Sequence, residues 1–198
     1  MRRLAASACA LLLATGAGAA PAGQEEEAER PFWIPDAAQI QHAGNLGWIA
    51  LGPAWAWWER RIHLALLFSW VPPFAGGTLT GVAGKVSIWP MELELDDQFF
   101  VRPLELGAVV HYTFGESYFI RQPDRYPASY YDYSTAVRVG LLAGASVGIA
   151  RDLWIVDRSE LYLEVGTTDL ELYLHLRNPE TRPLTDALHL AAGALLWF

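Results

Sequence analysis

The chain of 198 residues holds one cysteine, Cys9, two methionines and few charges. A lone thiol near the start removes disulfides, zinc–thiolate sites and a cysteine nucleophile from the body of the chain. Charged residues make up 18%, against about 25% in an average soluble domain. The 14 Lys and Arg face 22 Asp and Glu, a formal net charge of −8, which argues against a nucleic-acid partner. Past residue 20 no clean apolar run reaches the length of about 18 residues that a membrane helix requires. There is no phosphate-binding glycine loop and no nucleotide fingerprint. The five histidines, at 42, 63, 111, 175 and 189, show no short metal-ligand spacing. Neither a metal nor a cofactor is expected. What the chain has in plenty is apolar surface: 53% of its residues are hydrophobic and nine are Trp.

Residues 1–19 read as a secretory signal peptide. Arg2 and Arg3 form its basic start, Leu4 to Thr15 its apolar core and Ala17-Gly18-Ala19 its cleavage site. Residues 20–38 read as an acidic spacer carrying Glu25, Glu26, Glu27 and Glu29. The remainder, 39–198, is expected to be one β-barrel domain.

From residue 39 onward the hydrophobic period is two, the mark of strands. In 61–71, Ile62, Leu64, Leu66, Phe68 and Trp70 form one face, and Arg61, His63, Ala65, Leu67 and Ser69 the other. Segments 78–89, 104–114 and 134–150 repeat the pattern, always with one long apolar face and one of Gly, Ala, Ser and a few charges. In a soluble sandwich or lipocalin-like barrel the apolar face turns inward. In a membrane barrel it meets lipid, and the small polar face fills the lumen. The poverty of charge on the polar faces and the strand lengths favour the membrane barrel, since a crossing strand needs about 9–11 residues.

The chain's last residues alternate Leu188, Leu190, Ala192, Ala194, Leu196 and Phe198, and in the stretch from His189 to Phe198 Gly193 stands a few residues before the end. It resembles the C-terminal strand of bacterial outer-membrane β-barrels. The resemblance implies an outer-membrane location and recognition by the barrel-assembly machinery through the strand ending at Phe198. One departure is Leu196, where an aromatic is frequent. The segments 41–47, 112–115, 125–127 and 166–170 also resemble small outer-membrane proteins of unassigned function, and carry no activity with them.

The expected fold is therefore all-β: a closed antiparallel transmembrane β-barrel, most simply of eight strands. Seven crossings are clear, at 40–58, 61–71, 78–90, 101–114, 134–150, 160–177 and 185–198. Even strand numbers are the rule in such barrels. The eighth is placed within 32–58, with a turn near Gly44-Asn45 or Gly52-Pro53, and the change of apolar face near Gly166–Thr168 is read as a β-bulge. The long segment 115–133 then lies outside, together with 72–77. Trp55, Trp57, Trp58, Trp89, Trp154 and Trp197 fall at one interface. Tyr112, Tyr118, Tyr126, Tyr130, Tyr131 and Tyr133 fall at the other, as aromatic girdles require.

An eight-stranded interior has room for side chains only, so no diffusion pore is expected. Arg61, His63, Lys85, Glu105, His111, Arg138, Glu171, His175 and Arg177 are candidates for a lumen network. A surface-binding role would fall to the 115–133 loop, through Arg121, Arg125, Tyr126, Tyr130 and Tyr131, with lipopolysaccharide or a glycan as ligand. Two rival readings stand beside this one. The first is a membrane-embedded acyl hydrolase or transferase using His111 with Thr113 or Ser134. The second is a soluble periplasmic lipocalin-like carrier.

Overall fold

A computed structural model of the chain describes residues 31–127, 130 and 133–198, with only the backbone at 152 and 153. The expected signal peptide, most of the spacer and Tyr131 lie outside the described residues. Among the described residues nine strands form in chain order: β1 (Ala37–Ala43), β2 (Ile49–Trp57), β3 (Ile62–Val71), β4 (Leu79–Ile88), β5 (Leu93–Glu94), β6 (Phe99–Phe114), β7 (Val137–Leu153), β8 (Val156–Thr168) and β9 (His189–Trp197). One helix, α1 (Asp169–Arg177), separates β8 from β9. The sheet order is β4-β3-β2-β1-β9-β8-β7-β6, and β4 pairs with β6 to close it. Every pairing is antiparallel, so eight strands make a closed barrel, with the two-residue β5 outside it against β6.

The barrel is apolar outside and polar inside. On β3, His63, Ala65, Leu67 and Ser69 are buried, while Leu66, Phe68 and Trp70 are exposed. The same inversion holds on β7, where Leu141 and Val147 face out and Ser146 faces in, and on β8, where Leu161 and Leu163 face out and Glu160, Tyr162 and Glu164 face in. The period-two pattern fixes this, because alternate side chains take opposite faces of a strand. The eight barrel strands range from seven residues in β1 to 17 in β7.

The eighth crossing lies where the sequence pattern placed it. β1 and β2 are joined by a turn at Gly44–Leu46, and Gly52-Pro53 lies inside β2. Pro53 is accommodated because the pairing of β2 with β3 passes over Gly52 and Pro53 and resumes in the same register, Leu51 opposite Phe68 and Ala54 opposite Ala65. A side chain at Gly52 would stand 1.9 Å from the Leu66 carbonyl oxygen, so only glycine fits there.

The segment 160–177 is not one bulged crossing. β8 stops at Thr168 and α1 begins. The Thr168 hydroxyl accepts the Glu171 backbone N–H, and the Glu171 carboxylate accepts the Thr168 backbone N–H, a reciprocal capping box. Asp169 and Glu171 in the first turn and His175 and Arg177 in the last suit the helix dipole. The alternating leucines of 170–176 mimic a strand, but the start signal at Thr168 and Glu171 decides the local structure.

Most of the expected tryptophan sorting holds by end but not by face. Trp55, Trp57, Trp58, Trp89, Trp154 and Trp197 all lie toward the end of the barrel where β1 begins and β9 finishes, called the terminal end below. Trp89 and Trp197, however, are buried inside. The lumen is packed by placing rings over glycines. The Phe100 ring occupies the space a side chain would take at Gly148, and the Tyr162 ring occupies that at Gly193. Gly193→Ala would therefore drive a methyl into Tyr162, whose ring carbon and hydroxyl lie 2.3 Å from the methyl position. The expected loss is about 1–3 kcal/mol of overpacking strain, read as a lower urea midpoint of the refolded barrel.

Candidate functional site

The inward positions of β8 recur every second residue, so Arg158, Glu160, Tyr162 and Glu164 stand in one row along the lumen. Facing strands supply their partners in two layers. Toward the middle, Lys85 of β4 contacts Glu164 and lies 3.4 Å from Glu105 of β6. All three are nearly free of solvent. The Lys85 ammonium also lies 4.9 Å from the Tyr162 ring centre. The Tyr162 hydroxyl accepts from Gln39 Nε2 at 2.7 Å and donates to Gln41 Oε1 at 3.2 Å. One lysine thus serves two carboxyl groups, and each depends on it, since an unpaired charge in a dry interior is costly.

Toward the terminal end the charges balance. Arg102 lies 2.7 Å from Glu92 and 3.4 Å from Glu160, and Arg158 lies 2.5 Å from Glu92 and 3.4 Å from Glu160. Glu160 also accepts from Ser146 Oγ at 3.1 Å and from Trp197 Nε1 at 2.8 Å. Burial alone would raise the Glu92 carboxyl. The hydrogen bonds from Arg158 and Arg102 outweigh it and hold Glu92 below its ordinary value. His63 Nε2 bonds to the Arg60 carbonyl at 2.7 Å, and its ring meets Trp197 edge-on at 5.0 Å.

Of the lumen residues expected from the sequence, His63, Lys85, Glu105, His111 and Arg138 occupy inward positions. Arg61 instead lies exposed in the β2–β3 turn, 3.7 Å from Glu59. Glu171 pairs with His189 at the mouth, and His175 and Arg177 sit on α1, outside the strands. The sequence reading missed Glu92, Arg102, Arg158, Glu160 and Glu164. The pairing of β6 with β7 shifts between Arg102 and Glu105, so both face inward despite their odd spacing. Glu160 and Glu164 alternate with Leu161, Leu163 and Val165, a signal that was present.

The opposite mouth is closed by backbone. The turn Gly44–Leu46 folds inward, burying Leu46. A side chain at Gly44 would meet the Ala191 Cβ at 2.8 Å, and the Asn45 amide lies 3.7 Å and 3.6 Å from the Cβ positions of Gly140 and Gly166. Below the turn a cavity of about 20 Å³ is lined by Gln41, Lys85, Glu164 and His189, room for about one water. Segments 41–47 and 166–170, singled out in the sequence, meet here as packing.

The connection 115–136 lies at this loop end, as does 72–78. Arg125 Nη2 donates to the Glu116 carbonyl at 3.0 Å, and its guanidinium lies 5.2 Å from the Tyr126 ring. Tyr126 stacks on Tyr130 at 5.7 Å and lies 5.8 Å from Phe119. The structure therefore brings Arg125, Tyr126 and Tyr130 together, while Arg121 is exposed on the same loop. His111 does not meet Ser134. Its Nε2 lies 3.0 Å from Ser69 Oγ, an approach permitted by the missing side chain of Gly81 between them. Ser134 Oγ donates to the Phe119 carbonyl and accepts from the Val137 N–H, fixing the entry to β7. Thr113 takes part through its backbone, which donates to the Ala136 carbonyl. Among the described residues there is no metal-binding cluster of three His, Cys, Asp or Glu, and no helix is long and apolar enough to cross a membrane.

The chain matches no family model, no curated protein and no solved structure. The lumen itself supplies a test of its ion pairs. Lys85→Met leaves Glu105 and Glu164 buried without their cation and is expected to destabilise the barrel by about 3–5 kcal/mol. Adding Glu105→Gln and Glu164→Gln should recover most of that loss, because the uncompensated charge goes with the lysine. Equilibrium unfolding in urea separates the two outcomes.

Proposed function

We propose that this chain is a bacterial outer-membrane β-barrel with a sealed lumen, whose role is structural or one of binding at the loop end. The observation that carries the reading is the inversion of the barrel wall. Leu66, Phe68, Leu141, Leu161 and Leu163 face outward, while Lys85, Arg102, Glu105, Glu160 and Glu164 are buried. A wall with that polarity is stable when its outside meets lipid. A soluble carrier needs the reverse, with a ligand-sized apolar cavity in place of ion pairs. The strand ending at Phe198 supports delivery by the barrel-assembly machinery, and the N-terminal signal-like segment supports export.

The enzyme reading retains one specific observation, the hydrogen bond of His111 to Ser69. Ser69 is buried, and among the described residues no carboxylate bonds to His111 to orient it. Binding at the loop end is the better-supported role, with Arg125, Tyr126 and Tyr130 already gathered and Arg121 exposed beside them.

Fractionation of cells expressing the full chain tests the membrane reading. The protein should remain in the membrane pellet after an alkaline carbonate wash, and should migrate faster on a gel when unheated than when boiled. Recovery in the soluble periplasmic fraction overturns the reading. The loop role has its own measurement: the double variant Arg121→Ala/Arg125→Ala should bind lipopolysaccharide vesicles about tenfold more weakly than the native chain, the loss expected for charge-assisted contacts. Equal binding removes the loop from the site.

A further inference from the structure

Each of the eight barrel strands has a neighbour on both sides, but β5 is paired on one side only. Its residues lie against β6, Leu93 opposite Val101 and Glu94 opposite Phe100. They continue the line that β4 leaves at Ile88, which lies opposite Leu106. On its other side β4 is paired with β3 as far as Ile62, and the Trp89 N–H reaches the Arg61 carbonyl at 2.7 Å. Past that bond the β2–β3 turn carries the chain away. Among the described residues no strand lies beside β5 on that side.

The free edge has backbone groups to offer. Leu95 donates its N–H to the Phe99 carbonyl at 2.8 Å. Bonding alternates along an antiparallel pair, so the backbone of Leu93 turns toward β6 and that of Glu94 turns away from it. The side chains alternate too. Met91, Leu93 and Leu95 are exposed apolar residues, and Glu92, Glu94 and Asp96 stand between them. Glu92 reaches inward to Arg102 and Arg158, which puts Glu94 on the same, inner face of the strand. A groove of about 480 Å³ lies here, lined by Glu59 and Arg61 of the turn and by Glu92, Leu93 and Glu94 of the edge.

We propose that β5 is a docking edge for an extended basic polypeptide segment, which adds as a strand beside Glu94. The proposal goes beyond the membrane reading and does not rest on it. Charge selects the occupant. From Pro90 to Val101 the chain carries Glu92, Glu94, Asp96 and Asp97 and no Lys or Arg. Two arginines answer Glu92, and Arg61 across the groove is answered by Glu59. Glu94 and Asp97 have no ion pair among the described residues. A second copy pairing through its own β5 would bring two Glu94 side chains together, a like-charge contact that strand pairs avoid. The chain's own lead has the wrong sign, with Glu25, Glu26, Glu27 and Glu29 beside one basic residue, Arg30. A metal finds no cluster of three ligands among the described residues. A strand with Lys or Arg at every second residue and apolar residues between them suits both faces. Its cations meet Glu94, its apolar side continues Leu93 and Leu95, and its backbone bonds the edge.

The probe is a short, end-capped peptide of alternate Lys and Val carrying a fluorophore, titrated against the full chain in non-ionic detergent. Anisotropy should show saturable binding at least about tenfold tighter than that of the alternate Glu and Val counterpart. An added strand running antiparallel to β5, as β3 runs to β4, turns its lysine N–H groups to Glu94. Methylating those nitrogens keeps every charge and should weaken binding about tenfold, while methylating the valine nitrogens changes it less than about twofold. Glu94→Lys, at an exposed site, should leave the heat-dependent gel shift intact and reverse the preference between the two peptides. No saturable binding, equal binding of both peptides, or an unchanged preference in Glu94→Lys overturns the docking edge. Equal affinity of the lysine-methylated and unmodified peptides overturns strand addition, since charge alone then suffices. None of these outcomes bears on the membrane reading, which fractionation decides.

Discussion

Eight strands closed on themselves leave an interior that side chains must fill, and in this chain the filling is charged. Lys85 held between Glu105 and Glu164, and Arg102 and Arg158 shared by Glu92 and Glu160, cross the lumen and join β4, β6 and β8 to one another. Lys85, Glu105, Glu164, Arg102 and Glu160 are removed from water on closure, so each needs its partner in place. The small residues follow from that need. Ala50, Ala54, Ala65 and Ala83 are buried beside the long side chains and leave them room, while Gly148 and Gly193 admit the rings of Phe100 and Tyr162. A larger residue at Gly148 or Gly193 competes with one of these rings for the same volume.

The same constraint accounts for what the amino-acid pattern revealed and what it concealed. Period two exposed the strands and their faces, because one residue in two along β3, β4, β7 and β9 is apolar and the others are small or polar. Even the missing crossing was legible from Gly44-Asn45 and from the need for an even strand number. The interior pairing was harder to read. Which strand faces which across a barrel depends on register, and the shift between Arg102 and Glu105 leaves no mark in a count of alternate residues. Trp89 and Trp197 share an end with Trp57 and Trp58, but the parity of their strands sends them inside.

Helix α1 was concealed for a different reason. Leu170, Leu172, Leu174 and Leu176 alternate as a strand would, and alternation in a helix gives no continuous apolar face; accordingly no residue of α1 is fully buried. Its start is held by local chemistry, the exchange of hydrogen bonds between Thr168 and Glu171, beside the contact of Glu171 with His189 of β9. Of the loop residues, Arg125, Tyr126 and Tyr130 were singled out by residue type, and the structure places them side by side. Arg125 and Tyr130 lie against Tyr126, which meets Phe119, so these side chains also shape the loop.

Two backbone outliers lie at the two mouths. Ala43 (φ 61°) bends the chain so that Gly44–Leu46 can fold into the loop-end mouth. Arg60 (φ 60°) is turned so that its guanidinium lies 5.1 Å from the Trp197 ring and 2.9 Å from Asp157, closing the terminal mouth. Both outliers therefore act inward. Gly44–Leu46 turns into one mouth, the Arg60 side chain lies over Trp197 at the other and ion pairs fill the middle, while the wall between them is mostly apolar on its outside. The two rims differ: among the described residues one carries Arg125 over Tyr126 and Tyr126 stacked on Tyr130, the other exposed indoles on short turns. A barrel built this way has its chemistry at its ends, and the difference between those ends gives it a direction.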